Sequence, residues 1–64
     1  MKLEEMPKIL KTRDVARLLD LSPDNVNVMA RKGLIPAYKE GNQWRFRRQD
    51  LEPWLKENAA KLPS

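Results

Sequence analysis

The sequence predicts a mainly α domain carrying one small β-hairpin, in the order α-α-β-β-α. Three patterns predict it: two short capped helical stretches in close succession, an alternating stretch around Glu40-Gly41-Asn42, and a final i, i+3, i+4 apolar set. The 64 residues suffice for one small domain, and a chain this short buries only about 60% of its unfolded surface. Residues 1–10 read as a lead-in, 11–58 as the domain and 59–64 as a C-terminal tail.

The first helical pattern follows Pro7 and the apolar pair Ile9 and Leu10, which can pack under the domain. Thr12 is the expected N-cap, with Asp14 near the positive helix end. Val15, Ala16, Leu18 and Leu19 then form one buried face. After Asp20 and Leu21 a second helix starts: Ser22 caps, Pro23 suits the first helical position, and Asp24 favours the dipole. Val26, Met29 and Ala30 are its core stripe, and Gly33 ends it after Arg31 and Lys32. Two short helices joined this closely make a helix-turn-helix.

Beyond Pro36 the period becomes two. Tyr38, Trp44 and Phe46 share one parity; Lys39, Gln43, Arg45 and Arg47 share the other. A three-residue loop at 40–42 keeps both faces pure, setting Tyr38 opposite Trp44 with its ring toward the helices, and is expected over a two-residue Gly41-Asn42 loop. The last helix carries Leu51, Trp54 and Leu55 on one face. Pro53 belongs in a first turn, so a start near Asp50, with Asp50 as cap, is expected.

Composition narrows the chemistry. With 41% hydrophobic and 34% charged residues the chain reads as soluble and globular, and Asp24 interrupts its longest uncharged run, so no membrane span or membrane partner is expected. Met1–Pro7 carries Glu4 and Glu5 without an apolar core, so no signal peptide and a cytoplasmic location are expected. There is no cysteine and no histidine, which removes thiolate nucleophiles, imidazole bases and nearly every zinc site. Neither an enzyme nor a cofactor or metal requirement is expected.

Charge is concentrated. Residues 31–48 hold Arg31, Lys32, Lys39, Arg45, Arg47 and Arg48 against Glu40 alone, a local +5 in a chain of net +4. Such a patch attracts polyanions. Arg45 and Arg47 repel each other on one hairpin face unless an anion lies between them. On the second helix the core stripe leaves Asp24, Asn25, Asn27, Val28, Arg31 and Lys32 outward. Asn is a poor helix former, but it pairs bidentately with adenine in a major groove, and Val28 suits a thymine methyl. Met29 reads as core, and so do Trp44, Phe46 and Trp54; outward aromatics for splayed RNA bases are absent.

Together, TRDVARLLDLSPDNV, RKGLIP and the G-x-x-W-R-F stretch leading into DLEPWL resemble the excisionase-type and MerR-type winged helix-turn-helix domains, from about Lys11 to Asn58. The resemblance implies a sequence-specific double-stranded DNA-binding protein. Helix 2 would enter the major groove, and the wing would contact the flanking backbone or minor groove. It puts helix 2's outer face at Asn25, Asn27 and Arg31 and the wing arginine at Arg45, with Thr12 and Ser22 at the cap positions from which backbone amides can meet phosphates. Val28, Lys32, Lys39, Gln43 and Arg47 complete the candidate DNA-binding set. MerR relatives often carry Thr, Arg and an aromatic where this chain has Asn25, Asn27 and Met29, so base preference does not transfer. The chain resembles the DNA-binding module alone, acting in site-specific recombination beside an integrase or in transcription regulation with RNA polymerase. A monomer in free solution is expected, with cooperative binding on DNA left open. The alternative is a protein-interaction adaptor whose basic face docks an acidic partner.

Overall fold

A left-handed residue and a proline fix where the first two helices stop and start. In the computed structural model, which describes residues 3–58, helix α1 spans Thr12–Leu19. It ends at Asp20, whose φ of 58° is left-handed; the Asp20 N–H donates to Arg17 O and the Leu21 N–H to Ala16 O. Helix α2, Pro23–Arg31, starts three residues later. The Ser22 side chain accepts from the Asn25 N–H at 3.2 Å, the cap expected there. At the far end Gly33 (φ 74°) donates to Ala30 O and Leu34 donates to Met29 O. This pair of reversed hydrogen bonds is the Schellman stop, and its C′ residue must tolerate positive φ.

Strands β1 (Ile9–Lys11), β2 (Tyr38–Glu40) and β3 (Gln43–Arg47) form an antiparallel sheet in the order β1-β3-β2. The three helices and this sheet give a winged helix-turn-helix, with a strand more than the expected order. Three residues of β1 are too few to show a period. They pair Leu10 with Phe46, and both side chains are fully buried. Because Lys11 ends the strand in extended conformation, it is the N-cap of α1, and its N–H donates to Asp14 Oδ2 at 3.1 Å. Thr12 is therefore the first helical residue and not the cap, which leaves its hydroxyl free for another partner.

The hairpin register differs from the expected one. Tyr38 lies opposite Arg45, Lys39 opposite Trp44 and Glu40 opposite Gln43, so the loop is the two residues Gly41-Asn42. Gly41 has φ 64° and Asn42 has no positive φ, as in a type II′ turn with glycine at its first central position. The mixing of faces costs little. The Lys39 ammonium lies 5.4 Å from the Trp44 ring centroid and the Arg47 guanidinium 5.1 Å from that of Tyr38, so each ring is paired with a cation. Tyr38 thus joins the arginine face rather than the helix-facing one.

Helix α3, Arg48–Asn58, follows β3 without a loop. It starts before Asp50, so Asp50 lies in its first turn and is not its cap, and Pro53 falls in the second turn. Both Pro53 and Gln49 are exposed, so water can satisfy the Gln49 carbonyl that Pro53 cannot reach. Arg48 spans the strand–helix junction: its N–H donates to Lys8 O, and its Nη1 donates to the carbonyls of Met6 and Glu4. Val15, Ala16, Leu19, Val26, Ala30, Ile35 and Leu51 join Met6, Leu10 and Phe46 in the core. Each large member contributes about 1.5–3 kcal/mol by burial. Trp44 and Trp54 are only half-buried at its margin, and the Trp54 indole donates to Leu34 O at 2.9 Å. The tail at 59–64 lies outside the described residues. No helix among the described residues is long and apolar enough to cross a membrane.

Candidate nucleic-acid interface

The N-terminus of α1, the outer face of α2 and the wing converge on one groove. Thr12, Asn27, Arg31, Lys39, Gln43 and Arg45, all expected from the sequence, line it together. Lys11, Arg13, Asn42 and Trp44 line it too. Among the described residues that line it, five are cationic and none is acidic. Such a surface attracts polyanions, a phosphate chain among them.

Lys11 and Arg13 escaped the sequence reading because residues 1–30 balance to zero charge, an average that hides direction. Asp14, one of the compensating acids, is turned back onto the Lys11 N–H. Only placing β1 against β3, with Lys11 opposite Arg45, reveals the cluster.

A family model described as a helix-turn-helix domain matches residues 9–59, from the first residue of β1 to just past α3. The chain belongs to that family. It is a DNA-binding helix-turn-helix domain. No curated protein and no solved structure matches the chain.

Within this helix-turn-helix domain the remaining candidates lie elsewhere. Ser22 is occupied as the α2 cap, and Asn25 is exposed just beyond it. Val28 is half-buried, and Lys32 is the exposed C-cap of α2. Arg47 shares a β3 face with Arg45 but opens into a separate recess with Lys8, Gln49 and Glu52. Arg45 is less outward than its parity implies. Its side chain is 18% exposed, with Nε 3.9 Å from Glu40 Oε2 and Nη1 donating to Trp44 O. The sixth cation of the basic stretch, Arg48, is turned onto the N-terminal segment.

Proposed function

We propose that this helix-turn-helix domain is a sequence-specific double-stranded DNA-binding protein that acts by binding and not by catalysis. α2 lies in the major groove, and the wing grips the flanking backbone. The observation that carries this reading is the groove itself: Arg31 on α2, Lys11 and Arg13 at the start of α1, and Lys39 and Arg45 on the wing line one groove, with Asn27 among them. Asn27 supplies a base-reading amide, while the cations supply position.

The excisionase-type resemblance supports a cytoplasmic role as a small factor that marks or bends a site for a larger machine, an integrase or RNA polymerase. A MerR-like transcriptional role rests on the same module. The free domain is a monomer.

The test is duplex binding across a salt series. Mixed-sequence duplex should bind in the ~1–100 µM range at physiological salt, and log affinity should fall against log salt with a slope of about −3 to −5, given close to one released counterion per phosphate contact. Affinity independent of salt, or binding confined to an acidic protein, would overturn the reading.

A further inference from the structure

Thr12 and Asn27 come from different helices, and the Thr12 hydroxyl donates to Asn27 Oδ1 at 3.0 Å. The bond joins two well-held residues. Thr12 sits in the first turn that Lys11 and Asp14 fix, and its branched side chain has few rotamers. Asn27 is in mid-α2, between the Ser22 cap and the Gly33 stop. Both line the cationic groove.

An asparagine amide has one acceptor oxygen and one NH2 group. Bidentate pairing with adenine needs both aimed at the base edge, the oxygen accepting from N6 and the NH2 donating to N7. Here the oxygen is drawn sideways onto Thr12. With one of the oxygen's two lone pairs taken by Thr12, the NH2 with its two N–H donors is the freer half of the amide. Guanine offers two acceptors, N7 and O6, side by side, whereas adenine opposes the NH2 with a donor of its own at N6. Closing the groove on DNA excludes water and strengthens the Thr12–Asn27 bond.

We propose that Thr12 is a positioning residue that sets Asn27 to read guanine in place of adenine, an inference that rests on α2 occupying the major groove. Thr12 then determines base preference without touching a base. This departs from the phosphate role expected for Thr12 and from the adenine pairing expected for Asn27.

Two measurements test it. In the free protein, the Asn27 side-chain amide resonance should move in Thr12→Val and stay in Thr12→Ser, which keeps the hydroxyl, while that of Asn25 stays in both. An unmoved Asn27 signal in Thr12→Val overturns the proposal whatever the DNA does. In the second, sites are selected from a randomised duplex pool, and defined duplexes differing only as G or A at the selected position are compared. Wild type should prefer G there. Thr12→Val should shift the G-to-A ratio toward A by about tenfold at that position alone. Thr12→Ser should behave as wild type. A uniform loss of affinity in Thr12→Val, without a change of preference, would make Thr12 a phosphate contact and sink the proposal. If Asn27→Ala flattens the preference while Thr12→Val leaves it, the proposal fails and the groove reading stands. If Asn27→Ala leaves preference intact, α2 does not read bases through Asn27 and the proposal falls, while the salt series decides the groove reading by itself.

Discussion

Lys39 faces Trp44 across the β2–β3 ladder, with its ammonium 5.4 Å from the centre of the indole. The pair lies at the mouth of the cationic groove, half-buried ring beneath exposed charge. Phosphate drawn to Lys39 competes with the ring for the ammonium, so Trp44 is a built-in optical reporter. Tryptophan emission should change on titration with duplex, the change surviving in Trp54→Phe and vanishing in Trp44→Phe. An emission spectrum unaltered at saturating duplex would place the wing away from the DNA.

Asp20 holds the turn between the first two helices at φ 58°. A side chain in that region costs about 1–2 kcal/mol, and aspartate escapes only part of it. Asp20→Gly should raise stability by about 0.5–1 kcal/mol, the gain being tempered by the freer unfolded chain, and lift the melting temperature by a few degrees. Asp20→Val should lower it. Thermal unfolding of the three proteins ranks them directly.

Arg48 and Arg31 carry equal charge and opposite duties. Arg48 donates to the Met6 and Glu4 carbonyls, whereas Arg31 lines the groove. Arg48→Ala should cost about 1–3 kcal/mol of folding stability, from lost charge-assisted hydrogen bonds, and leave the affinity of the folded fraction nearly unchanged. Arg31→Ala should do the reverse and reduce the salt slope by about one unit. Chemical denaturation and salt-series binding on both variants distinguish them, and a slope change in Arg48→Ala would contradict the assignment.

Glu40, the one acid in the basic stretch, approaches Arg45 at 3.9 Å from an exposed position. At 3.9 Å, and with the Glu40 carboxylate in water, the pair contributes about 0–1 kcal/mol, so Glu40→Gln should hardly alter stability. It frees Arg45 for phosphate. Generic-duplex affinity should therefore rise several-fold at low salt, and the gain should shrink as salt screens it. An affinity that fails to rise would remove Arg45 from the phosphate contacts.

Helix α2 was the most legible because its ends are written in local chemistry, whereas the starts expected at Thr12 and Asp50 were displaced by strands β1 and β3 running straight into α1 and α3. Ser22, Pro23 and Gly33 each act within three residues of themselves, and the structure keeps all three in their expected places. The sheet was less legible. Face purity argued for a three-residue hairpin loop, but lysine and arginine lie over aromatic rings at little cost, and the glycine at position 41 favoured the shorter turn. Strand β1 exists only through its partner, so nothing inside Ile9–Lys11 announces it. The groove was half visible. Asn27, Arg31, Lys39 and Arg45 stood out by type and parity, whereas Lys11 and Arg13 needed the pairing of β1 with β3. The Thr12–Asn27 bond was hidden because expecting a cap at Thr12 had already assigned its hydroxyl.

The signals that bracket α2 have a consequence for how such a domain changes its target. Its start is set by Ser22 and Pro23, its stop by Gly33, and the loop beyond is pinned by the Trp54 indole on Leu34 O. Its inward grip is Val26 and Ala30. None of these lies on the outward positions 24, 25, 27 and 31, which are all exposed. Rewriting those four positions leaves the caps and core contacts of the helix untouched, at the cost only of the dipole-favouring charges of Asp24 and Arg31. The scaffold is thus a fixed holder for an exchangeable address, and a new target is reachable by few substitutions without a foldability barrier between the old and the new.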